Sequence, residues 1–291
     1  MCIKRILVLG GDMRIVSLAN CFYQEGYDVM AYGFSENIEF EGGIERYKNL
    51  KEALSACDIV IMGLPVTNDN ETIHTPLHDE KIYIEDVLKY MKKEQLLMGG
   101  KISGKVKNIC RMYNISAIDY FEREELTVLN AIPTAEGAIE IAMRELPITI
   151  HGSNSLVLGF GRIGKVLSKD LKALGAKTYV EARRFDDLSW IKSYGYEGIY
   201  LKHLKEKLPL FDVIYNTVPS EIITVDMMKY IKKDCLIIDL ASLPGGVDIK
   251  KAEAMGIKVI RALSLPGKCA PKTSGEIIKH TIQNIMSDMG V

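Results

Sequence analysis

The chain has 291 residues, 47% of them apolar and 26% charged, with 37 Lys+Arg against 38 Asp+Glu for a formal net charge of −1. This length predicts about two globular domains with ample core, and a balanced charge with no block of one sign argues against nucleic acid or an acidic membrane as a partner. Six scattered cysteines, Cys2, Cys21, Cys57, Cys110, Cys235 and Cys269, form no C-x-x-C pair and read as reduced thiols of a cytoplasmic protein.

The first apolar run, Ile6-Leu7-Val8-Leu9, stops at Gly10, Gly11 and Asp12. It is too short for the core of a signal peptide and reads as a first strand. No stretch approaches the ~20 apolar residues of a membrane span. A helix ended by Gly26 and a strand over 28–32 complete a β-α-β unit. Arg14 follows the first strand, where open α/β sheets take their ligands, and its guanidinium can bridge both oxygens of a carboxylate. Strands at 58–62, 96–99 and 115–119 and helices at 85–91 and 104–112 continue the alternation. The loop after the strand at 96–99 carries Ser103. His74 and His78 have helical spacing, but Pro76 lies between them in a polar segment, so no metal site is expected. The chain has no H-E-x-x-H motif, cysteine cluster or G-x-S-x-G elbow.

A helix over 135–146 follows Pro133, with Thr134 as its expected N-cap and Pro147 as its stop. The opening grammar then returns at an offset of 149: Val157 matches Val8, Leu167 matches Leu18, and Gly175 matches Gly26. Here the strand at 155–158 runs into Gly159-Phe160-Gly161-Arg162-Ile163-Gly164 and a helix. That is the context in which G-x-G-x-x-G binds a dinucleotide: the first glycine turns, the second admits the pyrophosphate, and the third lets helix approach strand. The first half has no third glycine at this spacing and is not read as the nucleotide site.

The next strand ends Val180-Glu181-Ala182-Arg183-Arg184. Either Glu181 or Ala182 faces the ribose, and the two arginines favour NADP, with NAD as the alternative. Four more strands, at 198–201, 212–217, 236–240 and 258–262, bring the second half to six. Thr217, Pro219 and Asp239 end strands where the nicotinamide half of a cofactor would lie. A last helix spans 274–289. The pattern specifies an α/β protein of two doubly wound, Rossmann-like domains with parallel sheets. Residues 1–130 plus 274–291 are expected to form the substrate domain and 131–273 the cofactor domain, with a cleft between them.

Several segments together resemble the A-subunit family of dipicolinate synthase from spore-forming bacteria. They are Gly10-Gly11-Asp12-x-Arg14, Phe121-Glu122-Arg123, Asn130 to Gly137, His151-Gly152-Ser153, Asp239 to Ser242 with Pro244-Gly245-Gly246, and Leu265-Pro266-Gly267 with Ala270 to Thr273 and Gly275. The resemblance implies oxidation of a dihydrodipicolinate-type precursor to dipicolinate during sporulation. It also implies NADP as hydride acceptor, a small dicarboxylate substrate and a second, flavoprotein-like partner, the B-subunit of that synthase. The architecture is also similar to that of 2-hydroxyacid and alanine dehydrogenases. The former use an Arg and a His where this chain has Asp239 to Pro244 and Leu265 to Lys268, with neither, which disfavours their reaction.

For the substrate the candidates are Arg14, Ser103, Thr134 and Glu136, with Lys268 and Lys272. Glu136 is placed in a first helical turn facing the cleft, to take the proton lost on aromatisation. An amino- or hydroxyacid dehydrogenase, and a nucleotide-binding subunit whose catalysis depends on its partner, are the rival readings. A homo-oligomer suits the fold class.

Overall fold

A computed structural model describes residues 4–242 and 244–290. In chain order the first elements are β1 (Arg5–Leu9), α1 (Met13–Gln24), β2 (Asp28–Tyr32), β3 (Glu45–Arg46), α2 (Leu50–Ala56) and β4 (Ile59–Met62). They are followed by α3 (Ile84–Tyr90), β5 (Leu96–Gly99), α4 (Gly104–Met112), β6 (Ser116–Asp119) and α5 (Glu124–Leu129). Next come α6 (Ala131–Glu145), β7 (Asn154–Leu158), α7 (Arg162–Ala173), β8 (Lys177–Ala182), α8 (Phe185–Ser193), β9 (Glu197–Tyr200) and α9 (Leu204–Lys207). The remainder are β10 (Val213–Asn216), α10 (Val225–Met228), β11 (Leu236–Asp239), α11 (Ile249–Ala254), β12 (Lys258–Arg261), α12 (Leu265–Cys269) and α13 (Pro271–Met289).

Two compact units result. Of the described residues, one comprises 4–129 and 270–290, the other 130–242 and 244–269. Each holds a six-stranded parallel sheet, ordered β3-β2-β1-β4-β5-β6 in the first and β12-β11-β10-β7-β8-β9 in the second. Both are the doubly wound 3-2-1-4-5-6 order, so in each the strand order reverses beside the first strand, the position at which such sheets bind ligands.

The strands are apolar on both faces because each sheet is covered twice. Ile6 and Val8 of β1 enter one buried cluster with α1 and α13, while Leu7 and Leu9 enter another with α2, α3 and α4. The second unit repeats the device: Val157 packs with α6 and α7, and Leu156 and Leu158 pack on the opposite face. Burial pushes the thiols of Cys57 and Cys235 up to about 12, so neither is a ready nucleophile.

Three local features depart from the sequence expectation. Strand β3 consists of two exposed residues, Glu45 and Arg46, too short and too polar to show a periodic signal. Helix α6 begins earlier than expected, with Asn130 as N-cap, and Thr134 is a buried residue inside it whose hydroxyl donates to Asn130 O at 2.7 Å. Pro133 falls within the first turn, where an absent N–H costs no helical hydrogen bond. Helix α13 likewise starts at Pro271 rather than Ser274.

The end of β6 is tied by one carboxylate. Asp119 accepts from the backbone N–H of Lys101 (2.8 Å), Ile102 (2.7 Å) and Phe121 (2.9 Å), fixing the loop after β5 against β6. Asp119→Ala leaves three donors to find other partners and should cost the first unit about 2–3 kcal/mol, read as a lower urea midpoint for its unfolding transition.

Candidate functional site: a dinucleotide pocket at the head of α7

Gly159 turns the chain out of β7 at φ +90°, a backbone conformation open to glycine and strained for other residues. Its N–H donates to Glu181 O at 3.1 Å, which ties the turn to the end of β8. A Cβ on Gly164 would lie 2.1 Å from the carbonyl oxygen of Gly159, so only glycine allows the first turn of α7 to come this close to β7. A Cβ on Gly161 would meet nothing within 4 Å. Gly161 is the N-cap of α7 and supplies no side-chain hydrogen bond, which leaves the helix N-terminus open to an anion. Gly159 and Gly164 are thus demanded by the backbone itself, while Gly161 leaves open space at the head of the helix.

Around this turn lies a cavity of about 290 Å³. It is lined by Gly159, Phe160, Gly161, Ala182, Arg183, Arg184, Thr217 and Pro219, and also by Glu181, Asp187 and Val218. Arg162, Ile163 and Gly164 form the first turn of α7 behind it. Arg184 bonds Asp186, with Nε 2.9 Å from Oδ1. Arg183 is exposed and forms no ion pair among the described residues. Glu181 is 1% exposed, its Oε1 has no hydrogen-bond partner, and burial raises its pKa against the opposing effects of the Gly159 N–H and Arg183.

Asp239 does not join the cofactor-facing residues. It is fully buried, accepting from Asn216 Nδ2 (2.8 Å), Ala241 N (3.3 Å) and Gly246 N (3.3 Å). Asn216 in turn donates to Val218 O (3.0 Å), and Thr217 Oγ1 donates to Leu158 O (2.8 Å). Asp239 thus acts at one remove, holding the wall that Thr217, Val218 and Pro219 present to the cavity.

The first unit shares the grammar but not the chemistry. Asp12 caps α1 by accepting from Arg14 N (3.0 Å), so a carboxylate already occupies that helix N-terminus. A Cβ on Gly10 would lie 2.5 Å from Thr75 Cγ2, so the turn is filled by protein. Arg14 is 5% exposed, and the carboxylate it bridges is Asp12 (Nε–Oδ1 2.9 Å, Nη2–Oδ2 2.7 Å), with Nη2 also donating to Leu64 O. The fork expected to hold a substrate is occupied inside the fold.

The remaining candidates are dispersed. Ser103 caps α4, accepting from Val106 N at 3.2 Å and donating to Asn70 Oδ1 at 2.5 Å. Glu136 is exposed in the second turn of α6, not the first, because the helix begins at Ala131. Lys268 is exposed on α12 and Lys272 in the first turn of α13. His74, set aside in the sequence as half of an unconvincing metal pair, lies half-buried near Asp12 and Arg14. Burial lowers its pKa, Asp12 opposes this and Arg14 reinforces it, which favours the neutral imidazole. No group of three metal-ligating side chains occurs among the described residues, and no helix there is long and apolar enough to cross a membrane.

A doubly wound sheet with this turn, cavity and bare helix end defines a nicotinamide-dinucleotide-binding domain of the dehydrogenase kind. A family model described as the NAD binding domain of S-adenosyl-L-homocysteine hydrolase matches residues 130–272, and the model for the N-terminal domain of the dipicolinate synthase A-subunit matches residues 5–121. The dipicolinate synthase A-subunit of Bacillus subtilis (strain 168) is 31% identical over 288 residues, covering 98% of this chain and 96% of that protein. Crystal structures of the same synthase component from Bacillus subtilis (30% identity, TM-score 0.89, covering 100% of this chain and 98% of that one) and Bacillus halodurans (29%, 0.89, 97% of each) share the fold. An L-alanine dehydrogenase at 14% identity and TM-score 0.69, covering 98% of this chain and 90% of that one, shares the fold alone. The chain belongs to the dipicolinate synthase A-subunit family.

Gly164→Ala should force the first turn of α7 away from Gly159 and weaken dinucleotide binding at least about tenfold, measured by quenching of NADPH fluorescence.

Proposed function

We propose that this chain is an oxidoreductase component that oxidises a dihydrodipicolinate-type dicarboxylate to dipicolinate with NADP, in the cytoplasm of a sporulating cell and together with a flavoprotein-like second subunit. The observation that carries the reading is the match to the dipicolinate synthase A-subunit along 98% of the chain, which includes the whole of the dinucleotide cavity. When bound, the nicotinamide supplies the hydride acceptor, and aromatisation of the ring supplies the driving force, so the protein mainly has to position and to move one proton. In this reading the glycine turn after β7 and the N-terminal end of α7 hold the pyrophosphate, with Arg162 beside it. Ala182 supplies no carboxylate to compete with a 2′-phosphate, and Arg183, with no acidic partner among the described residues, is the cation that receives it.

The oxidation releases a hydride and a proton from the precursor. Glu136 is the proposed proton acceptor: it is an exposed carboxylate on the helix adjoining α7. Lys268, also exposed in this unit, is the proposed attractor of the dianion. Glu136→Gln should lower kcat about 100-fold and leave NADP affinity unchanged, because a carboxamide keeps the shape and loses the basicity.

The reading is tested with freshly generated dihydrodipicolinate and NADP, following dipicolinate and NADPH absorbance together, with and without the second subunit. Equal yields of the two products are expected. If they form only in the presence of both subunits, this chain is the nucleotide-binding half of a shared site. If NADPH binds and no dipicolinate forms in either case, the chain acts on another substrate, to be sought among 2-oxo and amino acids.

A further inference from the structure

A second cavity lies in the first unit, at the end of the sheet where doubly wound folds take ligands. It holds about 590 Å³, within the range of small-molecule sites and about twice the volume of the dinucleotide cavity. Three segments wall it: the end of β2 over 31–36, the end of β3 over 46–48, and the loop over 78–80. Backbone hydrogen bonds fix these segments in place, Tyr47 N donating to Ala31 O (2.9 Å) and Ser35 N to Leu77 O (2.7 Å).

The two cations at this cavity are already engaged. Arg46 donates through Nη1 to Glu36 O and Ile38 O (both 3.1 Å) and through Nη2 to Phe34 O (3.0 Å) and Ser35 O (2.7 Å). Its four terminal N–H groups therefore hold the loop after β2, and none remains for a ligand. Lys48 Nζ lies 3.3 Å from Glu36 Oε1. Asp79 and Glu80 differ: both are exposed carboxylates with no ion pair or side-chain hydrogen bond among the described residues. Tyr32, Phe34 and Tyr47 supply aromatic surface. Burial, and then the charge of Glu80, raise the pKa of Tyr32, so its phenol is neutral.

The uncommitted charge is thus negative and the walls are aromatic. A primary ammonium suits both: it gives three donors to carboxylate oxygens, is attracted to aromatic faces, and carries a stem that aromatic surface can cover. A divalent metal needs several oxygen ligands at one point, and no group of three metal-ligating side chains occurs among the described residues. An anion, whether a dinucleotide or a dicarboxylate, meets two carboxylates here and no available cation. We propose that this cavity binds a small primary amine with an apolar stem, its ammonium on Asp79 and Glu80 and its stem along Tyr32, Phe34 and Tyr47. None of its residues lines the dinucleotide cavity, and the proposal does not depend on the reaction assigned above.

The experiment is calorimetric titration of the full chain with pentylamine, ammonium chloride and pentanoate, for the wild type, the double variant Asp79→Asn with Glu80→Gln, and Glu80→Lys. Both positions are exposed, so the variants should keep the wild-type thermal midpoint. Pentylamine should bind at one site per chain, at least about tenfold tighter than ammonium chloride, which has the charge without the stem, and than pentanoate, which has an apolar stem and the opposite charge. The double variant should weaken pentylamine binding at least about tenfold. Glu80→Lys should abolish it, because the introduced ammonium takes the place of the ligand's. Quenching of NADPH fluorescence should be the same in all three proteins. If pentylamine binds no better than either control, or keeps its affinity in both variants, the amine site is wrong, and the dinucleotide reading stands or falls on its own test.

Discussion

The close approach of Gly164 to the carbonyl of Gly159 governs the second unit. With no Cβ in the way, α7 starts directly against the end of β7, and there is open space beside its N-cap, Gly161. The hydrogen bond from Gly159 to Glu181 brings the end of β8 to the same point. Asp239, through Asn216, holds the third wall at Val218. Two backbone contacts and one buried carboxylate therefore bring three separate strand ends to a single cavity.

The two units are the same topology put to different uses. Both run 3-2-1-4-5-6, and both place a glycine turn and a helix after the first strand. What separates them is the first turn of that helix. Asp12 caps α1 with a carboxylate and carries Arg14 on the same two oxygens, so the positive end of the helix dipole is already matched internally. Gly161 leaves α7 uncapped by any side chain. The second helix has an N-cap with open space beside it, and the first has a filled turn. The Asp12–Arg14 pair instead ties the head of α1 to the loop after β4 through Leu64 O, with the half-buried His74 nearby.

Much of this was legible because it depends on local chemistry. Continuous apolar strands read as parallel and doubly covered, and the helix over 104–112 matches α4 residue for residue. The lining residues Gly159, Phe160, Gly161, Ala182, Arg183, Arg184, Thr217 and Pro219 could be named because a fingerprint and the ends of two strands identify them. The readings that changed involve side chains whose partners lie far away in sequence or are hidden by burial. Arg14 carries the right group for a carboxylate, but its own N-cap competes for it. Asp239 sits at a strand end like a ligand-facing residue, yet the backbone N–H groups of Ala241 and Gly246 donate to its oxygens. Thr134 has the composition of a cap, and the helix simply starts four residues before it, with Asn130 as its cap.

By itself the sequence determined the class: two β-α-β-led α/β units, one with a dinucleotide fingerprint, in an order of short segments that matches one family. Periodicity and glycine spacing are set by the chain's own covalent geometry, so no distant contact is needed to read them. The tertiary structure decided which polar groups remain available. Alternation left Glu181 and Ala182 as equal candidates for the ribose; the fold lines the cavity with both, burying the carboxyl of Glu181 and leaving Arg183 exposed and Arg184 paired. Burial and hydrogen-bond satisfaction depend on what the rest of the chain packs around a residue, and that information is not carried by its immediate neighbours.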